Sequence, residues 1–276
     1  MEGDPKLIEG TVYDGNNLER IFELQTDYML MLKDREAFPD WPLNINIKDH
    51  QKIIRDIASR LVVELSESYE VTQEITDIAI NNKLSEVDIV PLLKNLNEEL
   101  ADSLHFMVEL FILVGITPQD INKFYEDYLD EMNLKATYYK RLDTFRTVTN
   151  YAKHMNIWEG YYKNRPSMFL VLKVEDEDED TTVMAGRYNS MDALIKQTSE
   201  LWMVVHSLNM AINMLKKKEH RNAGPATHHN LFCEELIKSW VRLFKYYDMV
   251  GVSAISIYEN YTIKNEINKD RLKNEY

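Results

Sequence analysis

The sequence predicts an all-α fold, and three observations lead to this prediction. Glycine and proline are scarce, with 8 and 7 copies in 276 residues, which argues against a β-sandwich with many turns. Apolar residues recur at three- and four-residue spacings along most of the chain, which is the period of an amphipathic helix. A segment of the first half is also repeated later in the chain, as expected of folds built from repeated helical units.

Successive periodic stretches predict seven helices. They cover residues 16–34, 48–75, 87–114, 118–147, 191–218 and 231–250, and a last helix runs from 253 almost to 276. Pro91 predicts a bend in the third helix, and Gly115 is suited to its C-cap. Thr117 and Pro118 fit the N-cap and first position of the fourth.

The stretch 150–190 differs from the rest of the chain. The segments "MFLVLKV" and "TTVMAG" flank an acidic run at 175–180. Short β-rich runs around a charged turn predict a small β-hairpin, and the run itself is expected to be a solvated loop. The predicted organisation is a first helical unit at 1–149, an insertion at 150–190 and a second helical unit at 191–276.

Composition excludes several classes of function. The formal net charge is −14, whereas a protein that binds duplex nucleic acid needs clustered lysine and arginine against phosphate. The lone Cys233 rules out a disulfide framework and a cysteine-based zinc site. The start of the sequence lacks a basic region followed by an apolar stretch. We therefore expect a cytoplasmic protein that binds neither a membrane nor duplex nucleic acid.

An offset of 136 residues aligns two parts of the chain without a gap. Eight positions between 97 and 125 are identical to their counterparts, where average residue usage gives roughly two by chance. The same offset pairs Glu64 with Glu200 and Leu65 with Leu201. An internal duplication explains this pattern, and the alternative is that two buried helices simply share a composition.

Four carboxylates in the first unit suggest a metal site. Glu64 and Glu67 share one helix face, as do Glu99 and Asp102, and the helix after Asp102 is apolar nearly all round. Acids at the edge of a buried helix need a partner or a cation, and carboxylate oxygens suit Mg²⁺ or Mn²⁺. The alternative is a solvated acidic face, which 46 acidic residues make common.

The second unit does not keep all of these acids. At the equivalent positions Met203 replaces Glu67 and Lys238 replaces Asp102. A copy that loses half of its acids and gains a lysine has the pattern of a lost metal site. This difference favours a real site in the first unit.

The last predicted helix carries the opposite chemistry. Lys264, Asn268 and Arg271 lie on one face, with Asn265 beside them. Lysine and arginine donate charge-assisted hydrogen bonds to phosphate, although a polar surface helix would show the same residues. Since one unit keeps the acids and the other keeps the donors, we expect one composite site made from both.

The motifs formed by these residues resemble those of a known family. "ELSE" followed by "ELADSLHF" resembles the ExxE…ExxD signature of the all-α nucleoside triphosphate pyrophosphohydrolases, which include MazG and the dimeric dUTPases. The last segment resembles the dCTPase-dUTPases of T-even-type phages in the spacing of six residues, Tyr261, Lys264, Asn265, Asn268, Arg271 and Tyr276. The match covers mainly residues 55–125 and 230–276, about half the chain.

Two departures from the family pattern are visible. Glu275 stands where the family has glycine. The acidic motif and the final segment also lie on different copies, whereas the family carries them on one continuous segment.

The resemblance implies a function and roles for single residues. It implies Mg²⁺-dependent cleavage of dUTP or dCTP to the monophosphate and pyrophosphate, in the host cytoplasm if the chain is phage-encoded. The implied metal ligands, which are also the implied catalytic residues, are Glu64, Glu67, Glu99 and Asp102. The implied triphosphate ligands are Lys264, Asn265, Asn268, Arg271 and Tyr276. Gln25, His105 and Phe106 would line the base or sugar pocket, although core packing also explains Phe106 and His105.

Two other functions fit the same sequence. One is a catalytically inactive helical scaffold in a phage replication complex, and the other is a MazG-like hydrolase of broad specificity. A duplication that completes the site within one chain allows a monomeric pseudo-dimer, while the resembling family favours a homodimer. Base preference does not follow from the residues, since it depends on a few hydrogen bonds.

Overall fold

The computed structural model describes residues 17–34, 39–81, 89–131, 170–176, 179–186, 191–215, 227–252 and 254–274. Within these ranges the all-α prediction is confirmed, because seven helices pack into one bundle. They are α1 (Asn17–Asp34), α2 (Lys48–Ile80), α3 (Val90–Val114), α4 (Pro118–Glu131), α5 (Met191–Met214), α6 (His229–Met249) and α7 (Ala254–Lys273). Parts of the predicted helices lie outside the described residues, chiefly 132–147 and 216–218.

Two strands accompany the helices. β1 (Leu170–Asp176) pairs antiparallel with β2 (Glu179–Gly186). Four residues of the acidic run belong to these strands, since Glu175 pairs with Asp180 and Asp176 with Glu179. The prediction that the whole run forms a loop is therefore wrong at its two ends.

The first turns of α3 and α4 contain the residues that the sequence analysis selected. Thr117 and Asp120 form a reciprocal capping box, in which Thr117 N donates to Asp120 Oδ2 at 2.9 Å and Asp120 N to Thr117 Oγ1 at 3.2 Å. This pair satisfies amide groups that have no partner within the helix, and it confirms the predicted N-cap. Pro91 lies in the first turn of α3, where its missing N–H costs little, so the predicted bend there is wrong.

Helix packing brings the two units together. α2 packs along α3, and α5 packs along α6. α2 also contacts α5, and α7 packs against α3 and α1. Because α7 belongs to the predicted second unit while α1 and α3 belong to the predicted first unit, side chains from both predicted units meet at this junction.

Local geometry recurs at the 136-residue offset. Gly115 and Gly251 both end a helix with positive φ, at 81° and 85°. Similarly, the hydroxyl of Ser103 donates to the carbonyl three residues before it, and the hydroxyl of Ser239 does the same. These matched details agree with the predicted duplication, which stays a prediction.

The core is centred on α3, whose side chains are buried at every position from Met107 to Val114. Two adjacent tyrosines of α6 connect the helices around it. Tyr246 Oη lies 3.2 Å from Ser68 Oγ on α2, and Tyr247 Oη donates to Leu100 O on α3 at 2.8 Å. Both tyrosines are fully buried, so these hydrogen bonds satisfy groups that water does not reach.

The helices differ from membrane spans in length and hydropathy. Among the described residues, no single helix is both long enough and apolar enough to cross a membrane. α3 and the first part of α4 reach this level only when taken together, and they are bent by 98° relative to each other.

Candidate functional site

Three of the predicted metal ligands meet between α2 and α3. Glu64, Glu67 and Glu99 each place one carboxylate oxygen within 4.8 Å of the others. Glu64 and Glu67 are three residues apart on α2, which puts them on one face, and Glu99 faces them from α3. Glu64 and Glu99 are half-buried and Glu67 is exposed. We call these three residues the acidic cluster.

Asp102 stands beside the acidic cluster and already has a cationic partner. Lys264 Nζ lies 2.8 Å from Asp102 Oδ2, and their side chains are 14% and 22% exposed. Lys264 comes from α7, so this ion pair joins the second unit to the first. The structure thus brings a predicted phosphate ligand to a predicted metal ligand.

Burial and mutual repulsion raise the pKa values of the cluster. The pKa of Glu99 rises to about 7, first because of burial and then because of the charges of Glu67, Glu64 and Asp102. Burial and the charges of Asp102 and Glu67 also raise the pKa of Glu64. Carboxylates that disfavour their own ionisation in this way are stabilised by a bound cation.

Two opposing effects act on Asp102. Burial raises the pKa of Asp102, while the hydrogen bond and charge of Lys264 lower it, and the charge of Arg271 lowers it further. Arg271 is exposed and acts on this group from the last turn of α7. Asn268, one turn before Arg271, is half-buried.

One predicted phosphate ligand, Asn265, is not placed beside the acidic cluster. Asn265 is 0% exposed, and its Nδ2 donates to Leu24 O on α1 at 3.3 Å. Its remaining polar atom, Oδ1, is a hydrogen-bond acceptor, which does not suit an anionic phosphate. Asn265 therefore forms a contact between α7 and α1, and its predicted phosphate role stays a prediction. Tyr276 lies outside the described residues.

The predicted base-pocket residues form part of a buried network. Gln25 Oε1 accepts hydrogen bonds from His105 Nδ1 at 2.8 Å and from Tyr261 Oη at 2.7 Å. The His105 ring stacks on Tyr261 with centroids 4.0 Å apart. The hydrogen bond between Gln25 and His105 brings these two predicted residues together. Both side chains are buried. Phe106 is partly buried and packs against the core, in agreement with the alternative reading for this residue.

Two titratable residues of this region were not among the predicted site residues. Glu109, on α3, is 6% exposed, and its Oε2 accepts a hydrogen bond from Gln25 Nε2 at 3.5 Å. Tyr28, on α1, has a raised pKa, mainly because of burial and then because of the charge of Glu109. Glu109 is the lone acidic residue in the apolar stretch 104–114, and this isolation could have identified it from the sequence. Tyr28 lies one turn after Gln25 on the same face of α1, and this spacing could have placed it in the same region.

In the second unit, the glutamates that correspond to predicted metal ligands of the first unit are paired with lysine or arginine. Glu200, the counterpart of Glu64, is 5% exposed and pairs with Arg242 Nη1 at 3.1 Å and with Lys245 Nζ. Arg242 and Lys245 stand where the first unit has phenylalanine and glutamate. A metal ion would meet repulsion at this position.

The second acid of that unit is also paired. Glu235, the counterpart of Glu99, lies 2.5 Å from Lys238, which occupies the position of Asp102. Beside the acidic cluster of the first unit, by contrast, the described ion pairs place Lys264, which comes from α7. The two units therefore differ in the number of carboxylates that are left for a metal.

Comparison with known proteins gives no match. No protein-family model, no curated protein and no solved structure matches the chain. Within the described residues, the acidic cluster is the group whose geometry fits a metal ion. Three oxygen ligands from half-buried and exposed carboxylates suit a hard divalent cation and leave room for water or substrate oxygens.

Proposed function

We propose that the protein is a divalent-metal-dependent nucleoside triphosphate pyrophosphohydrolase with dUTP or dCTP as substrate and Mg²⁺ as the physiological metal. The observation that carries the proposal is the junction of the acidic cluster with the Lys264–Asp102 ion pair. The proposed metal ligands and the proposed phosphate-binding cation lie side by side, although they come from opposite units. The resemblance to the all-α pyrophosphohydrolases supplies the reaction and the substrate.

Each group has a chemical task in this proposal. The acidic cluster holds Mg²⁺, with Asp102 completing the set once it exchanges its partner. A bound divalent ion neutralises phosphate charge and lowers the pKa of a water molecule. Lys264 and Arg271 stabilise the charge that develops on the departing pyrophosphate. Asn268 lies on the same face of α7 and orients the phosphate chain.

One site per chain follows from the charges of the two units. The second unit has Arg242 and Lys245 on its equivalent glutamate, so it offers no comparable set of free carboxylates among the described residues. Its contribution is α7 with Lys264. Loss of an acidic-cluster carboxylate from the first unit, or of Lys264 from the second, should therefore stop turnover.

Pyrophosphate release is the test of this function. The wild-type protein is incubated with dUTP, dCTP, dTTP and UTP, each with Mg²⁺ and with EDTA. We expect Mg²⁺-dependent release from dUTP or dCTP, and equal release from all four substrates would instead indicate a broad house-cleaning hydrolase. No release from any substrate would contradict the proposal and favour the inactive scaffold.

Matched variants locate the activity. Glu99→Gln removes a cluster ligand, and Glu235→Gln removes its counterpart in the second unit. We expect the first to abolish turnover and the second to leave it nearly unchanged, since Glu235 pairs with Lys238 and not with the acidic cluster. Equal losses in both variants would show that the effect is structural.

A further inference from the structure

A chain of hydrogen bonds runs through the buried seam between α1, α3 and α7. Glu109 Oε2 accepts from Gln25 Nε2 at 3.5 Å, and Gln25 Oε1 accepts from His105 Nδ1 and from Tyr261 Oη. An amide oxygen only accepts hydrogen bonds, so Nδ1 of His105 carries the ring proton in this arrangement. We call these four residues the buried relay.

The relay leaves one acceptor without a partner. His105 Nε2 is buried and makes no hydrogen bond within the described residues. With the proton on Nδ1, this nitrogen presents a lone pair. A buried polar atom in this state is costly, and an N–H or O–H group of a ligand would relieve that cost.

The same side chains can form a second arrangement of these hydrogen bonds. If the Gln25 amide rotates by half a turn, its oxygen faces Glu109 and its NH₂ group faces His105 and Tyr261. In this arrangement protonated Glu109 donates to the Gln25 oxygen, and the Gln25 NH₂ group donates to His105 Nδ1. The Tyr261 hydroxyl then donates to a group other than Gln25. Tyr261 has a second acceptor within reach, because Ile21 O lies 3.4 Å from its hydroxyl. His105 would then carry its proton on Nε2.

We propose that Glu109 is a positioning residue that sets the direction of hydrogen bonding in the buried relay. Ionised Glu109 holds the Gln25 NH₂ group and makes His105 Nε2 an acceptor. Protonated Glu109 holds the Gln25 oxygen and makes His105 Nε2 a donor. One proton enters at Glu109, and the proton of His105 moves from Nδ1 to Nε2, so the ring stays neutral in both arrangements.

The charges around Glu109 support a change of protonation near neutrality. Burial raises the pKa of Glu109 to about 7, with Arg60 of α2 lowering it and Asp56 of α2 raising it. Tyr28 of α1 and Tyr261 of α7 face the same carboxyl, and the Glu109 charge contributes to the raised pKa of each of them.

The imidazole itself does not gain a charge in this range. Burial lowers the pKa of His105 to about 3, the charge of Lys264 on α7 lowers it as well, and the backbone of Tyr261 raises it to a smaller extent. His105 therefore remains neutral while Glu109 titrates, and only the position of its proton changes.

The consequence for ligand recognition rests on the proposed function. If His105 lines the base pocket, ionised Glu109 favours a base that offers an N–H group to Nε2. Protonated Glu109 favours a base that offers a carbonyl or ring-nitrogen acceptor. The two pyrimidines differ in this respect at N3, which is a donor in uracil and an acceptor in cytosine. Relative preference for them should then change with pH.

Nitrogen NMR of the imidazole tests the proposal without metal or substrate, so its outcome is independent of turnover. Long-range ¹H–¹⁵N spectra distinguish a protonated ring nitrogen from a bare one, and His105→Gln assigns the signal among the 7 histidines. In the wild type we expect Nδ1–H above the Glu109 pKa of about 7 and Nε2–H below it. An unchanged tautomer across this range would overturn the proposal without any variant.

Two variants identify the group that titrates. Glu109→Gln keeps the size of the side chain but cannot ionise, so the tautomer of His105 should no longer change with pH around neutrality. Glu70→Gln alters an exposed carboxyl of α2 outside the relay and should leave the transition intact. Far-UV circular dichroism checks that Glu109→Gln is folded. A transition that persists in folded Glu109→Gln would assign the titration to another group and contradict the proposal.

Discussion

Lys264 Nζ of α7 lies 2.8 Å from Asp102 Oδ2 of α3, so a cation from one unit occupies an acid of the other. A divalent ion that uses Asp102 as a ligand must compete with this ammonium group. In the proposed site, Lys264 would therefore oppose metal binding at Asp102 and, once displaced, would contact a phosphate. These two effects can be separated by measurement.

Replacing Lys264 with methionine should change metal affinity and turnover in opposite directions. Removal of a positive charge next to the ligands should tighten Mn²⁺ binding by about 1 kcal/mol, or roughly fivefold in Kd. Turnover should fall, because a phosphate partner is lost. Isothermal titration calorimetry measures the first effect and pyrophosphate release the second. Lys273→Met, on the same helix but 59% exposed and paired with Asp270, should change neither; a weaker Kd in Lys264→Met would refute the competition.

Glutamine substitution at the paired positions Glu64 and Glu200 should give opposite stability effects. Glu200→Gln leaves Arg242 and Lys245 without their shared carboxylate, and breaking a buried pair costs about 3 kcal/mol. Glu64→Gln removes repulsion with neighbouring acids, so the metal-free protein should become slightly more stable. Urea denaturation without metal measures both. Comparable destabilisation in the two variants would mean that Glu64 is a structural ion-pair partner rather than a metal ligand.

Without metal, the free energy of unfolding should decrease as pH rises from the ordinary glutamate pKa of about 4.3 toward neutrality. The pKa values of Glu99 and Glu109 are raised to about 7 in the folded state, so the folded protein binds more protons than the unfolded chain in this window. Thermal melts at acidic and at slightly alkaline pH measure the loss, which should be smaller in Glu99→Gln. The same pH dependence in the wild type and in Glu99→Gln would show that Glu99 does not titrate in this window.

Mg²⁺ should restore part of this stability above neutral pH. The ion stabilises ionised Glu99, whereas Glu109 lies outside the acidic cluster and keeps its penalty. Thermal melts with and without Mg²⁺ measure the gain, which should disappear in Glu99→Gln and persist in Glu235→Gln. An equal Mg²⁺ effect in both variants would point to general screening of the negative charge.

Alanine at Gly115 should destabilise the end of α3. The φ angle of Gly115 is 81°, and an L-residue in this region costs about 1–2 kcal/mol. An added Cβ would also lie 3.1 Å from Pro42 Cβ. Gly115→Asn adds the same Cβ but tolerates the backbone angle better, so it should lose less stability in urea denaturation. Equal losses would assign the effect to the Pro42 contact alone.

Helical spacing predicts which residues share a face but not how each face is turned toward its neighbours. Glu64 and Glu67 can be grouped from sequence because two acids three apart on a helix point the same way. Asn265 follows Lys264 directly, so it is rotated by about 100° around the helix axis and faces α1 instead of the acids. That rotation depends on how α7 packs, which the local sequence does not encode.

The buried relay could be predicted only in part. The resemblance assigns Gln25 and His105 to the site, but Glu109 stands in the sequence only as a charge within an apolar helix. Its connection to Gln25 joins α1 and α3 across a separation of 84 residues. Only the packing of the two helices makes a carboxyl on α3 the partner of an amide on α1.

The adjacent tyrosines of α6 limit how far the carboxylates of the acidic cluster can move. Tyr246 is hydrogen-bonded to α2 and Tyr247 to α3, so neither helix can slide along the other without breaking a buried hydrogen bond. A slip of one residue would displace a ligand by about 1.5 Å, several times the ~0.2 Å that metal–ligand distances allow. α6, which belongs to the predicted second unit, thereby holds the carboxylates of α2 and α3 in register with each other.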